Sequence, residues 1–249
     1  LARRDLRKSL PRRFYKAATA APGDGGYMLL LDGCAVKTPG GNPLAVPCLP
    51  AAERLVDEWS AQSEVIDPAT MPFTRIVNSA IDGVARRLDA TVEEIARYAG
   101  SDLVCYRAAG PEALVKAQAA AWDRVLLFAH DKLGARFLCT EGVVFIEQPE
   151  TARSAVIVAL KSLAPDGKIA PFALAALHVM TALTGSVLIA LAVAHGELTA
   201  QEAWGAAHAD EDYEMRIWGE DALALERRAR LWSEMEAAAL LLRLVLASS

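Results

Sequence analysis

The chain has 249 residues, 53% of them apolar and 23% charged. That balance supports a sizeable buried core and excludes a disordered class. A formal net charge of −5 gives no whole-molecule reason to bind nucleic acid. Arg3, Arg4, Arg7, Lys8, Arg12 and Arg13 cluster at the start and read as a solvated tail. The four cysteines, Cys34, Cys48, Cys105 and Cys139, lack the spacing of a zinc knuckle or redox pair, and reduced thiols fit a chain of this length. No secretory pattern opens the sequence, although Leu1 in place of methionine leaves a removed leader open.

In chain order, the first part reads as β. A strand is expected over 14–19, turn chemistry over Pro22-Gly23-Asp24-Gly25-Gly26, and a second strand from Tyr27 to Leu31. Asp32-Gly33 predicts a tight hairpin turn, because both central positions of such a turn favour positive φ. A third strand is expected from Cys34 to Thr38, then a Pro- and Gly-rich loop and a short extended piece at 44–46. Asp24-Gly25-Gly26 lacks the spacing and trailing lysine of a phosphate loop, so it reads as a turn.

Beyond Pro50 the apolar period becomes helical. Leu55, Val56 and Trp59 share one face of a helix reaching about Gln62, and Phe73, Ile76, Val77 and Ile81 share a face of the next. A further helix is expected from about Val84 to Gly100. A long one carries Leu114, Trp122, Val125, Leu126 and Leu133 and stops near Gly134. Residues 138–146 read as extended, with Val143-Val144-Phe145-Ile146 as a strand.

The stretch from Ile169 to His195 holds no charged residue and is long enough to cross a bilayer. Its alanines, its threonines and the break at Thr184-Gly185-Ser186 point instead to two buried helices, about 170–183 and 186–195. Thr199-Ala200-Gln201-Glu202 has the spacing of a capping box and should open a helix through Trp204. An acidic stretch leads to Trp218-Gly219-Glu220-Asp221, and a last helix should end near Leu246. The fold class is therefore α+β. Two domains are expected: a small N-terminal α+β domain with a β-hairpin and sheet, 1–82, and a larger, mainly α-helical C-terminal domain, 83–249.

Catalytic motifs are missing. His130, His178, His195 and His208 form no HExxH pair, and no GxSxG elbow, Walker loop or GxGxxG occurs. No metal and no cofactor is expected. Asp210, Glu211, Asp212, Glu214, Glu220 and Asp221 fall within twelve residues, but without the spacing of a calcium loop. Acidic runs usually face water. Glu220 is sharper, because Trp218 is a common interface anchor and Gly219 permits close approach. The competing reading is a small hydrolase or isomerase using this segment with His208, which requires a deep polar pocket joining them.

Several short motifs occur here in one order: Phe14-Tyr15-Lys16, Leu31-Asp32-Gly33, Lys37-Thr38-Pro39, Glu58-Trp59, Ile66-Asp67-Pro68 and Thr70-Met71-Pro72. They continue through Tyr98, Asp102-Leu103, Cys105-Tyr106-Arg107, Gln118, Trp122-Asp123, Leu183-Thr184-Gly185-Ser186, Asp210-Glu211 and Trp218-Gly219-Glu220-Asp221. In this the chain resembles the ATP synthase F1 assembly chaperones that act on the α-subunit, over about residues 14–240. It departs from them at Asp212-Tyr213-Glu214, where an aromatic–glutamine pair is usual, at Arg124, where proline is usual, and in a leucine-rich final helix.

The resemblance implies a non-enzymatic chaperone that holds unassembled F1 α-subunit and shields its interface until β-subunit replaces it. It implies a monomer without stable membrane insertion and without nucleic acid, in the cytoplasm or, in a eukaryote, the mitochondrial matrix. Client contact is then expected at Glu220, Trp218, Asp221, Asp210 and Glu211.

Overall fold

A computed structural model describes residues 10–163, 167–219 and 221–248. Strands β1 (Ala18–Gly23) and β2 (Gly26–Leu31) form an antiparallel hairpin, and β3 (Cys34–Ala35) and β4 (Ala45–Val46) both pair with β2 on its other side. Asp32 and Gly33 have φ of 47° and 83°, as the expected hairpin turn requires.

The first strand starts later than expected. The Asp32 carboxylate accepts hydrogen bonds from the amides of Lys16 and Ala17, which holds 14–17 out of the ladder. Pro22 and Gly23 pair instead with Tyr27 and Gly26, so the turn narrows to Asp24-Gly25. The third strand is shorter than expected because Thr38 is drawn towards Asp82, with its hydroxyl donating at 2.6 Å. Asp82 also accepts from the Gly40 amide and the Asn42 side chain, and these bonds hold its carboxyl below the usual range.

Helix α1 (Leu49–Ser60) lies across β1 and β2 and leads through a 3-10 turn at Pro68–Thr70 to α2 (Pro72–Asp82). The helix expected over 84–100 is broken into a 3-10 turn (Val84–Arg86), α3 (Leu88–Ala96) and a second 3-10 turn (Arg97–Gly100). Packing of α3 and the first turn on a central helix overrides continuous helix propensity there. Strand β5 (Tyr106–Arg107) precedes the long α4 (Glu112–Leu133), which stops at Gly134 with φ of 67°. Strand β6 (Thr140–Glu141) runs parallel to β5, and α5 (Glu150–Ser162) follows.

The uncharged stretch forms α6 (Ala170–Thr184) and α7 (Val187–Ala194), separated by Gly185 at φ of 66° and by Ser186, whose hydroxyl caps Ile189. No helix among the described residues is long and apolar enough to cross a membrane. Helix α6 is apolar all round because it is the hub of the helical part, surrounded by α2, α3, α7 and α10 (Ala222–Leu246). Between α7 and α10 come α8 (Ala200–Ala207), with the expected capping box of Thr199 and Glu202, and α9 (Ala209–Trp218).

One apolar core takes in Leu29 and Val46 of the sheet, Leu55 of α1, Phe73 and Val77 of α2, Trp122 of α4 and the buried faces of α6, α7 and α10. The small sheet followed by a mostly helical remainder is the α+β arrangement expected. The strand expected at 143–146 does not form. Gly142, at φ of 74°, turns the chain away from β5 after β6, so these residues meet no strand edge to bond.

Candidate functional site

The site is built from the middle of α4 outwards. Gln118 is buried and spans two segments: its side-chain oxygen accepts the Ala108 amide at 2.8 Å, and its side-chain nitrogen donates to Asp210 Oδ1 at 2.7 Å. One turn on, Trp122 Nε1 donates to the Ala206 carbonyl at 2.7 Å, inside the core. Arg107 lies over the Trp122 ring, pairs with Asp123 at 2.9 Å and bonds the Val104 carbonyl. These contacts fix the end of α8 and the start of α9 on α4. Arg124, the departure from the usual proline, pairs with Glu202 at 2.8 Å and bonds the Glu197 carbonyl. The Thr199 amide, as the largest cause, and then the Arg124 guanidinium lower the Glu202 carboxyl to about 2.

At the α8–α9 corner, His208 is buried against Trp204 with ring centroids 4.0 Å apart, and its Nδ1 meets the Trp204 carbonyl at 2.8 Å. Its Nε2 is 3.9 Å from Glu211. The cavity beside the corner, about 550 Å³, is walled by Ala117, Ala121, Gly205, Ala209, Asp212, Met215 and Arg216. The geometry gives His208 a packing role at the corner.

From there α9 runs along α4. Only Ala209 is buried, whereas Ile217 is 52% and Trp218 85% exposed. Asp210, Glu211 and Asp212 occupy its first turn, where carboxylates complement the free amides and the helix dipole. The chain reverses at Gly219 with φ of 90° and ψ of 174°, a region open essentially to glycine alone. A Cβ there would meet nothing within 4 Å. The glycine therefore serves the turn and leaves the backbone uncovered on this side. Asp221 caps α10 by accepting the Leu223 amide at 3.0 Å.

The first part of α10 is exposed on nearly every side, and burial begins in earnest at Met235. An Arg228–Asp212 ion pair ties the two helices together. Helices α9 and α10 thus form a hairpin in connectivity, with α9 packed on α4 and with Ile217, Trp218 and Leu223 exposed at the tip.

The expected site residues fall into distinct places. Trp218 stands at the exposed tip, Glu211 is exposed on α9, Asp210 is held by Gln118, and Asp221 is a helix cap. Glu220 lies outside the described residues. Among those described, no group of three or more His, Cys, Asp or Glu side chains is placed to hold a metal. A broad groove of about 1140 Å³ runs beside α10, with Arg54, Glu58, Arg230, Leu240, Arg243 and Leu246 among its walls. In the sequence, Gln118 and Arg107 stand only as parts of motifs. Gln118 is buried and Arg107 half-buried, and their bracing contacts are visible only in the folded chain.

The α9–α10 corner thus presents an exposed tryptophan on a mainly helical body. Residues 12–130 match the family model for ATP12 chaperone protein. The Atu1473 protein of Agrobacterium tumefaciens is 49% identical, with a TM-score of 0.88 over 98% of this chain and 90% of that one. Atp12 from Paracoccus denitrificans is 36% identical, with a TM-score of 0.85 over 94% and 98% respectively. A point mutant of that protein matches to the same degree. The chain belongs to the ATP12 chaperone family.

Proposed function

We propose that the protein assists assembly of the F1 sector of ATP synthase by binding unassembled α-subunit until β-subunit displaces it. The observation that carries this reading is the α9–α10 hairpin, whose tip exposes Trp218, Ile217 and Leu223 to solvent. A subunit awaiting its neighbours exposes the apolar surface of a permanent interface, which invites aggregation. An exposed aromatic anchor suits such a surface. Exchange for β-subunit requires only relative affinity and mass action, so the reading needs neither catalysis nor a cofactor.

The protein would act as a monomer in the compartment where F1 assembles, the bacterial cytoplasm or the mitochondrial matrix. Trp218, Glu220, Asp221, Asp210 and Glu211 are proposed as the client-facing group, with Asp210 and Asp221 also holding the hairpin in shape. The test is co-purification with α-subunit and β-subunit expressed separately. Capture of α alone, weakened roughly 30-fold or more by Trp218→Ala as expected of a strong interface anchor, supports the reading. Equal capture of both subunits, or of neither, overturns it.

A further inference from the structure

A second apolar feature lies away from the hairpin. Val143 is 98% exposed, and Val144 and Phe145 are each 69% exposed. The loop that carries them is held firmly at both ends. Buried Gln148 grips Leu138 through both its amide groups, accepting the Leu138 N–H at 2.9 Å and donating to the Leu138 carbonyl at 2.8 Å. β6 pairs with β5, and the Gly142 amide donates to the Arg107 carbonyl at 2.8 Å. Between these anchors, no backbone N–H or C=O from Val143 to Glu147 is hydrogen-bonded among the described residues. Residues 143–146 have the β-branched and aromatic composition of a strand, yet in this fold they have no strand to join.

We propose that Val143–Ile146 is a strand-donating finger that adds to an exposed edge strand of the client subunit, next to basic side chains on that edge. Strand addition satisfies the free backbone groups and gives alternate side chains a surface to cover. The anchored base lowers the ordering cost, since only the tip must settle.

Charge selects the occupant. Glu141 and Glu147 flank the tip, both exposed and without an ion-pair partner among the described residues. In an antiparallel pairing of two copies centred on Val144, Glu141 would face Glu147 of the other copy. Like charges directly opposite each other disfavour that pairing, as does the net charge of −5. A client edge carrying lysine or arginine is favoured instead. The finger and the hairpin are braced by one stretch of α4: Arg107 pairs with Asp123, and Gln118 holds Asp210.

This inference rests on the proposed client. The experiment measures binding of purified α-subunit to the wild type and to Val144→Pro, Phe145→Pro, Val144→Thr and a Glu141→Lys/Glu147→Lys double variant. Thermal midpoints verify folding, and sedimentation reports oligomeric state. Because alternate residues bond to a strand partner, one proline variant must remove a ladder hydrogen bond in either register. That variant should bind about 10-fold more weakly or worse, whereas threonine, a good strand former, should stay within about 3-fold. The charge-reversed variant should also weaken by about 10-fold.

Wild-type affinity in both proline variants and the charge-reversed one, with capture still dependent on Trp218, overturns the finger alone. Equal losses for threonine and proline overturn strand addition in favour of side-chain docking. A wild-type dimer abolished by Val144→Pro overturns the client as occupant, as does flotation with anionic phosphatidylglycerol vesicles that the same variant abolishes. Failure of the wild type to bind α-subunit overturns both the proposed function and this inference.

Discussion

Asp102 is fully buried, and its carboxylate accepts the amides of Val104 at 3.3 Å and Leu188 at 3.1 Å. It caps α7 from a distant part of the chain, and Leu103 donates to the Gly185 carbonyl beside it. Burial outweighs the donors, which include the Ser186 hydroxyl, and pushes the carboxyl up to about 6 from 3.8. The folded state therefore holds a proton that the unfolded chain has lost between about pH 4 and 6. The stability contributed by protonation is present below pH 4 and lost as pH rises through 6. Over that window Asp102 should lose about 3 kcal/mol. Denaturant unfolding of wild type and Asp102→Asn at pH 4.5 and 7.5 checks this: the wild type should gain on the variant at acid pH. Glu58 does the same work for α2, accepting the amides of Phe73 and Thr74 at 2.8 and 2.7 Å, and its burial also raises its pKa. At the hairpin, Asp221 already caps α10, so Glu220 is proposed as the charge that pairs with the client. Glu220→Lys should fold normally and bind α-subunit about 2–5 kcal/mol more weakly if the pair is buried in the complex. A loss of about 0.5–2 kcal/mol of stability, with capture following only the unfolding, would mark a structural cap instead.

At the scale of elements, α6 and α7 show why an uncharged stretch need not enter a bilayer. Every residue from Val187 to Ala192 is buried by protein, with α4, α6, α8 and α10 as neighbours. Leu188 is 0% exposed, so Leu188→Asp would bury an unpaired charge and should cost about 3–5 kcal/mol. Thermal unfolding measures this, and a wild-type midpoint would contradict the placement. The α9–α10 hairpin follows the opposite logic. Its base is tied by Gln118–Asp210 and Arg228–Asp212, while its tip leaves apolar surface in water. That arrangement is the one the proposed client contact requires.

For the whole molecule, the basic residues Arg3 to Lys8 lie outside the described chain, whereas the polypeptide is pinned from Pro11 onward. The Pro11 carbonyl accepts the Ile66 amide, and Arg13 donates to the Glu64 carbonyl at 2.9 Å. Deleting 1–10 should leave the thermal midpoint unchanged, because the anchoring bonds of Pro11 and Arg13 are kept. Extending the deletion through Arg13 should lower it, since Arg13 also bonds the Gln62 and Tyr15 carbonyls. We propose that the division into 1–82 and 83–249 marks a change of element type within one folding unit. Helix α2 packs on α6 and α10 across that boundary, so residues 83–249 expressed alone should lack a cooperative unfolding transition, as circular dichroism would show.

Local chemistry was enough to place the Asp32-Gly33 turn, the α4 stop at Gly134, the Thr199–Glu202 box and the end of α10. Each depends on a few neighbouring residues and on backbone conformations that side-chain type dictates. The motifs were legible as motifs but not as roles. Asp32, Asp82, Asp102, Glu58 and Gln118 act on backbone or side-chain groups far away in sequence, and those partners exist only once the chain is folded. Residues 143–146 carry every local mark of a strand, and Trp218 the mark of either a core or an anchor. Tertiary structure left the one without a ladder and the other without a core. A strand needs an edge and a buried ring needs walls, and those are supplied by residues distant in the chain.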